Sequence, residues 1–209
     1  KYLKQAGDRM DSRSLTERVA KTNEIADAHV NLFKKPVHSK ILTDLATDPE
    51  FDLALFQDNS SRWNLYREFV QSLYNREMEK PVRLSVSQEK RLNFLGELSY
   101  WLWVEYGSKI SFSVEQIPNR ILEDFPFEDT DEKKAICREL LSGSILERKS
   151  GDIFFFGHRS FAEYLVADRL LRNRPDQRSH HLYSKAYRDG VREFLLDAEY
   201  AREEATWSR

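Results

Sequence analysis

The residues best placed to do chemistry lie in the run Phe154-Phe155-Phe156-Gly157-His158-Arg159-Ser160-Phe161-Ala162-Glu163-Tyr164-Leu165-Val166-Ala167, where an aromatic strand turns through a glycine into a helix. Ser160 and Glu163 have the S-x-x-E spacing of a capping box, which predicts a helix starting at Ser160 with its free N–H groups facing back toward His158. A helix N-terminus attracts anions. A histidine two residues ahead of one is a candidate phosphate contact, and the same spacing allows the plainer alternative of a turn residue.

Other reaction chemistry is absent by motif. No Gly-x-x-x-x-Gly-Lys-Ser/Thr occurs, so no phosphate-cradling loop is present and this chain alone is not expected to hydrolyse ATP. There is no His-Glu-x-x-His, Cys-x-x-Cys or Gly-x-Ser-x-Gly either. His180-His181 lacks a third ligand nearby in sequence and reads as surface. The carboxylates are spread as solvated helix faces with i,i+4 partners, so no acid/base pair stands out.

The 209 residues are enough for one large domain or two small ones. Lys plus Arg total 33 against 35 Asp plus Glu, a net charge of −2 that gives no general pull toward nucleic acid or an anionic membrane. The single cysteine, Cys137, excludes an internal disulfide framework and fits a reducing compartment, so the cytoplasm is the expected location. No apolar run approaches a membrane span, and Lys1-Tyr2-Leu3-Lys4-Gln5 lacks the apolar core of a signal peptide. A start without methionine reads as a piece of something longer.

With only 7 glycines and 6 prolines, the pattern is mainly α. Helical spacing predicts a helix from Ser14 to Phe33, a second begun by Pro36 at its first position, and a third from about Ser61 to Glu79 that Pro81 ends. A densely apolar helix over 87–106 closes at Gly107. Tyr100-Trp101-Leu102-Trp103 within it reads as core, since no Arg or Lys is interleaved to make a base-stacking platform. A short strand over 109–112 leads to a capping box at Ser113 to Gln116, whose helix is disturbed by Pro118. A helix over 130–142 follows. Strands over 144–148 and 152–156 then flank a hairpin at Lys149-Ser150-Gly151. Beyond the opening run the helix continues to about Asn173, Pro175 breaks it, and Val191, Phe194 and Leu195 mark a last helix. This order predicts a helical domain over 1–80, a winged-helix domain with a β-hairpin wing over 81–160, and the start of a C-terminal helical extension over 161–209.

The run F-x-H-R-S-F-x-E-Y-x-x-A after two short strands resembles the end of the winged-helix domain in NACHT-type STAND NTPases, which include inflammasome receptors and bacterial defence proteins. Leu65-Tyr66 through Glu77 resembles the helix placed before that domain, and Leu32-Phe33-Lys34-Lys35-Pro36-Val37 resembles the family's L-x-x-P-type run, with Lys34 where a glycine is often found. The resemblance covers about Ala26 to Ala167. It implies that His158 holds the β-phosphate of ADP and that Pro36 packs on the adenine. It further implies a module that closes over ADP in the inactive state and opens on exchange to ATP, exposing a face for homo-oligomerisation in anti-phage or innate immune defence. ATP or ADP with Mg²⁺ would belong to the parent protein, whose nucleotide-binding domain is the implied partner, and this stretch alone would hold neither tightly.

Two other classes fit the same elements. A winged helix can read DNA, but Asp131, Glu132 and Glu139 balance Lys133, Lys134 and Arg138 in the would-be recognition helix, so phosphate attraction is weak. The helices can also serve as a protein–protein interaction module with no nucleotide role.

Overall fold

The computed structural model describes residues 12–57, 60–78, 86–106, 111–172 and 186–207. It is mainly helical, with one small three-stranded antiparallel sheet. The chain divides into two compact units, Lys1–Ser72 with Asp197–Arg209, and Leu73–Leu196.

In the first unit, α1 (Ser12–Ala28), α2 (Val30–Phe33) and α3 (Pro36–Ala46) precede a single 3₁₀ turn at Leu53–Phe56 and helix α4 (Arg62–Met78). The single helix predicted over 14–33 is interrupted. His29 leaves the helical region at φ −121°, ψ 45°, and its ring Nε2 lies 3.2 Å from the Gln57 carbonyl oxygen. After the break Phe33 is buried while Val30 stays 60% exposed. Arg18 closes the far end of α3. Its guanidinium donates to the carbonyls of Ala46 at 2.9 Å, Asp48 at 2.7 Å and Phe51 at 2.8 Å, placing a cation where the helix leaves its last acceptors open. Ile25, Ile41, Leu42, Leu45, Phe56, Leu65 and Tyr66 are all almost fully buried. Each such side chain stabilises the fold by roughly 1.5–3 kcal/mol.

The second unit holds α5 (Gln88–Tyr100), β1 (Ser111–Ser113), α6 (Thr130–Leu141), β2 (Leu146–Ser150), β3 (Ile153–Phe156), α7 (Arg159–Arg172) and the first turns of α8 (Asp189–Trp207). The α-helical pattern predicted as far as residue 106 ends at Tyr100. The chain then widens into a π turn over Trp101–Glu105, closed by Tyr106 N–H donating to the Trp101 carbonyl at 2.9 Å. Trp101, Leu102 and Trp103 are consecutive and all buried, and the wider turn lets three adjacent large side chains face inward together.

Sheet order is β1-β3-β2, with β3 central. Phe112 pairs with Phe154, and Phe154 and Phe156 point into the core by the alternation of a strand. Between β1 and α6 the predicted helix is absent. Two 3₁₀ turns, Val114–Gln116 and Asn119–Leu122, stand there instead, because Pro118 between them has no N–H to continue a helix. The Ser113–Gln116 cap does form, the Ser113 N–H donating to Gln116 Oε1 at 2.8 Å. The hairpin also shifts. β2 runs through Ser150 past an irregularity between Arg148 and Ser150, so the turn is Gly151-Asp152, with Gly151 at φ 53°.

Helix α6 begins under Asp129, whose side chain accepts from the Asp131 and Glu132 N–H groups at 2.9 and 2.8 Å. Helices α5 and α7 run antiparallel against each other. Arg169 lies 3.9 Å over the Tyr100 ring and donates to Glu97 at 2.7 Å, while Arg172 reaches the Leu92 carbonyl at 3.2 Å. Gly96 permits that approach, since a Cβ there would lie 3.2 Å from Arg169 Cβ. Among the described residues no helix is long and apolar enough to cross a membrane. Pro81, Gly107, Lys109, Ile110, Asn173, Pro175 and His180-His181 lie outside the described residues.

Candidate functional site

Strand β3 delivers the chain to the site. Phe154 and Phe156 anchor it in the core, and Gly157 follows, with the exposed Glu147 carboxylate lying where a Cβ would be. A Cβ at Gly157 would lie 2.3 Å from Glu147 Oε1. His158 comes next, exposed, and α7 starts one residue later at Arg159.

The predicted helix start is corrected here. Ser160 is the second residue of α7, and the cap is His158. Its ring Nδ1 accepts the Ser160 backbone N–H at 3.2 Å, and the His158 carbonyl accepts the Phe161 N–H at 3.2 Å. An imidazole nitrogen thus takes the part that a Ser or Asp oxygen usually plays at a helix start. Glu163 does not close a capping box. It accepts from Arg159 Nε at 3.0 Å as an i,i+4 pair. Two of the helix-end N–H groups expected to face an anion are therefore used by His158 itself.

A backbone N–H can only donate, so the Ser160 N–H bond needs an unprotonated Nδ1, which in the neutral ring leaves the proton on Nε2. Ser160 Oγ lies 2.6 Å from the same Nδ1, and Ser160 is buried. The solvent-facing offer of the site is one N–H donor.

The neighbouring charges are already committed. The Arg159 guanidinium lies 4.6 Å over the Trp103 ring and pairs with Glu163. The Glu163 carboxylate in turn fills the space at Gly190 in the first turn of α8, where a Cβ would lie 2.1 Å from Glu163 Cδ. A carboxylate suits a helix N-terminus. The indole N–H of Trp103 donates to the Ala186 carbonyl at 3.3 Å. With Glu147 beside the turn and Arg159 neutralised, the geometry offers a hydrogen bond to an anionic oxygen more than a strong positive field. The one hydroxyl on the ring, Ser160 Oγ, is buried. Among the described residues no three His, Cys, Asp or Glu side chains group as metal ligands.

Pro36 belongs to the first unit and His158 to the second. Pro36 is the first residue of α3 and exposed, and Lys35 before it is extended at φ −82°, ψ 122°, as a residue preceding proline prefers. The loop entering it is tied by two side chains that sequence reading passed over. His38 Nδ1 donates to the Leu32 carbonyl at 2.8 Å, and Ser39 Oγ to the Phe33 carbonyl at 2.5 Å. His38 is 2% exposed and lies edge-on to Tyr66 with ring centres 5.7 Å apart. The available signal was a polar pair directly after a helix-starting proline. At the other site it was the His-x-Ser spacing of 158 and 160.

A cleft of about 410 Å³ lies between the 3₁₀ turns and α6, lined by Val114, Glu115, Asn119, Phe127, Asp129 and Lys133 among others. Its two lysines, and Arg138 further along α6, are engaged. Lys133 donates to the Ile117 carbonyl at 2.7 Å and to Asn119 at 2.9 Å. Lys134 pairs with Glu115 at 2.6 Å, whose hydrogen bond and charge raise the Lys134 pKa. Arg138 makes two 2.7 Å bonds to Asp152, which hold that carboxyl below its ordinary value.

No protein-family model, curated protein or solved structure matches this chain.

Proposed function

We propose that this chain is the helical and winged-helix regulatory portion of a NACHT-like STAND NTPase, closing over ADP bound by a nucleotide domain of the parent protein and opening on exchange to ATP. The observation that carries the reading is His158, exposed at the end of the central strand with its Nδ1 turned to the start of α7, in the F-x-H-R-S-F-x-E-Y run. The β1-β3-β2 order, with α6 between β1 and the β2–β3 hairpin, supports a winged helix. His158 donates to the β-phosphate, and the exposed Pro36 ring offers an apolar face to the adenine. The committed cations of α6 and the hairpin do not favour the DNA-reading alternative.

His158 is one part of the lock. A hydrogen bond to a charged group contributes roughly 1.5–3 kcal/mol, whereas moving a population from 1:99 to 99:1 takes about 5.5 kcal/mol. Packing on the nucleotide domain supplies the rest. His158→Ala in the parent protein therefore raises basal activity without making it fully constitutive.

The test is to denature the purified parent protein, identify the released nucleotide by chromatography, and compare wild type with His158→Ala. Co-purified ADP that falls in the variant supports the reading. No nucleotide in either protein overturns it in favour of a helical interaction module.

A further inference from the structure

We propose that Ser160 is the positioning residue for His158, holding the ring as the Nε2–H tautomer so that its outer nitrogen is a standing donor to an anionic oxygen. This rests on the proposed phosphate contact of His158. Two groups of one residue converge on a single ring atom: the Ser160 N–H at 3.2 Å and its Oγ at 2.6 Å from Nδ1. The N–H cannot accept, so it settles the direction of the second bond as well, and the hydroxyl donates to a nitrogen that has no proton of its own. The backbone N–H sets the proton placement, and the hydroxyl, sharing the same lone pair as a second donor, holds the ring's rotation. The alternative, with Nδ1–H donating to Oγ, would leave the Ser160 N–H facing another hydrogen and would turn the exposed Nε2 into an acceptor, which repels a phosphate oxygen.

Serine at this position thus does what an orienting group does for a histidine ligand, in which the bond at one ring nitrogen sets the role of the other. Ser160 does not itself touch a ligand. It is buried within the first turn of α7, which moves only with the helix, so the donor is positioned before any ligand arrives.

The experiment has two readouts. Ring-¹⁵N shifts are recorded at neutral to alkaline pH on the ring-labelled chain, which has five histidines, with His158 assigned by its loss in His158→Ala. Wild type is expected to show an unprotonated Nδ1 and a protonated Nε2. Ser160→Ala keeps the backbone N–H and loses the hydroxyl, so its shifts should move part of the way toward the averaged values of free histidine, and Ser160→Thr, which keeps the hydroxyl, should return them. ADP affinity of the parent protein is measured for the same variants, with Ser160→Ala expected to weaken it about three- to tenfold, as for one lost hydrogen bond, and Ser160→Thr to restore it.

A protonated Nδ1 in the wild type overturns the proposal, and so do unchanged shifts in Ser160→Ala. Should Ser160→Ala fail to fold, the wild-type shifts alone decide. If His158→Ala weakens ADP binding while Ser160→Ala does not, the positioning role is wrong and the phosphate contact stands. If His158→Ala changes nothing, the phosphate contact is wrong, and the ring shifts still judge the role of Ser160.

Discussion

Two side chains in this protein, Cys137 and Asp168, are tuned by burial more than by partners. Cys137 is fully enclosed in α6, and burial pushes its thiol up to about 11. The reactive thiolate is thus doubly withheld. A disulfide reagent should label Cys137 only as fast as the protein opens, and rapid labelling without denaturant would contradict this. Asp168 shows the same bias. Burial raises its carboxyl above the ordinary 3.8, with the charge and hydrogen bond of Arg172 working against it. The native state therefore holds the proton more tightly than the unfolded chain does. Its contribution is complete below about pH 3.8 and is lost as pH rises through the raised value. Urea midpoints measured from mildly acidic to neutral pH should fall less steeply in Asp168→Asn than in wild type. Parallel curves would rule out a burial-raised carboxyl.

At the scale of elements, helix ends decide how far the pattern can be read. The two glycines with positive φ differ in their surroundings. Gly143 follows α6 at φ 68°, and a Cβ there would lie 1.8 Å from Glu77 Cδ. Gly151 at φ 53° has open space around it. Gly151→Ala is expected to cost only the left-handed backbone penalty of about 1–2 kcal/mol, and Gly143→Ala distinctly more, because the buried Glu77 must also move. Equal losses in urea denaturation would show that the carboxylate gives way freely. Arg18→Met should cost about 2–4 kcal/mol, since three carbonyls lose a charged donor.

Most helices were legible because their apolar spacing is regular, and the hairpin because Gly151 sits between two β-rich runs. Three features were not. The break at His29 leaves the apolar spacing almost intact. Apolar residues all around 98–104 give no phase from which to read a wider turn. The S-x-x-E signal at Ser160 was true as spacing but false as chemistry, because an imidazole nitrogen had already taken the Ser160 N–H that the glutamate would otherwise accept, and Arg159 had taken the glutamate.

For the whole molecule, charge balance carries through from composition to surface. A net charge of −2 is reproduced locally, as Lys134, Arg138 and Arg159 each sit against a carboxylate. Little remains to displace counterions from a duplex. A mobility assay with mixed-sequence DNA at low salt and micromolar protein should show no shift, and a salt-sensitive shift would revive the DNA-reading alternative. Pro36 and His158 entered as candidates from spacing and resemblance. The bonds of His38 and Ser39 behind Pro36 were not legible, because a side chain that bonds to nearby backbone leaves no pattern beyond its own letter, and Ser160 was legible as a cap but not as a partner of the His158 ring.

The π turn at Trp101–Glu105 has a consequence for chain length. It holds one residue more than an α-helical path needs, so a one-residue deletion here acts locally. Removing Val104 would let the α-helical ladder close and would draw Tyr106 back by one place. Tyr106 would then leave its stack on Trp101, now 4.9 Å between ring centres, and lose the bond it accepts from Gln116. The extra residue acts as a phase shifter. Upstream of it the helix is indexed to α7, and downstream the chain is indexed to β1, where Phe112 meets Trp101 edge-on.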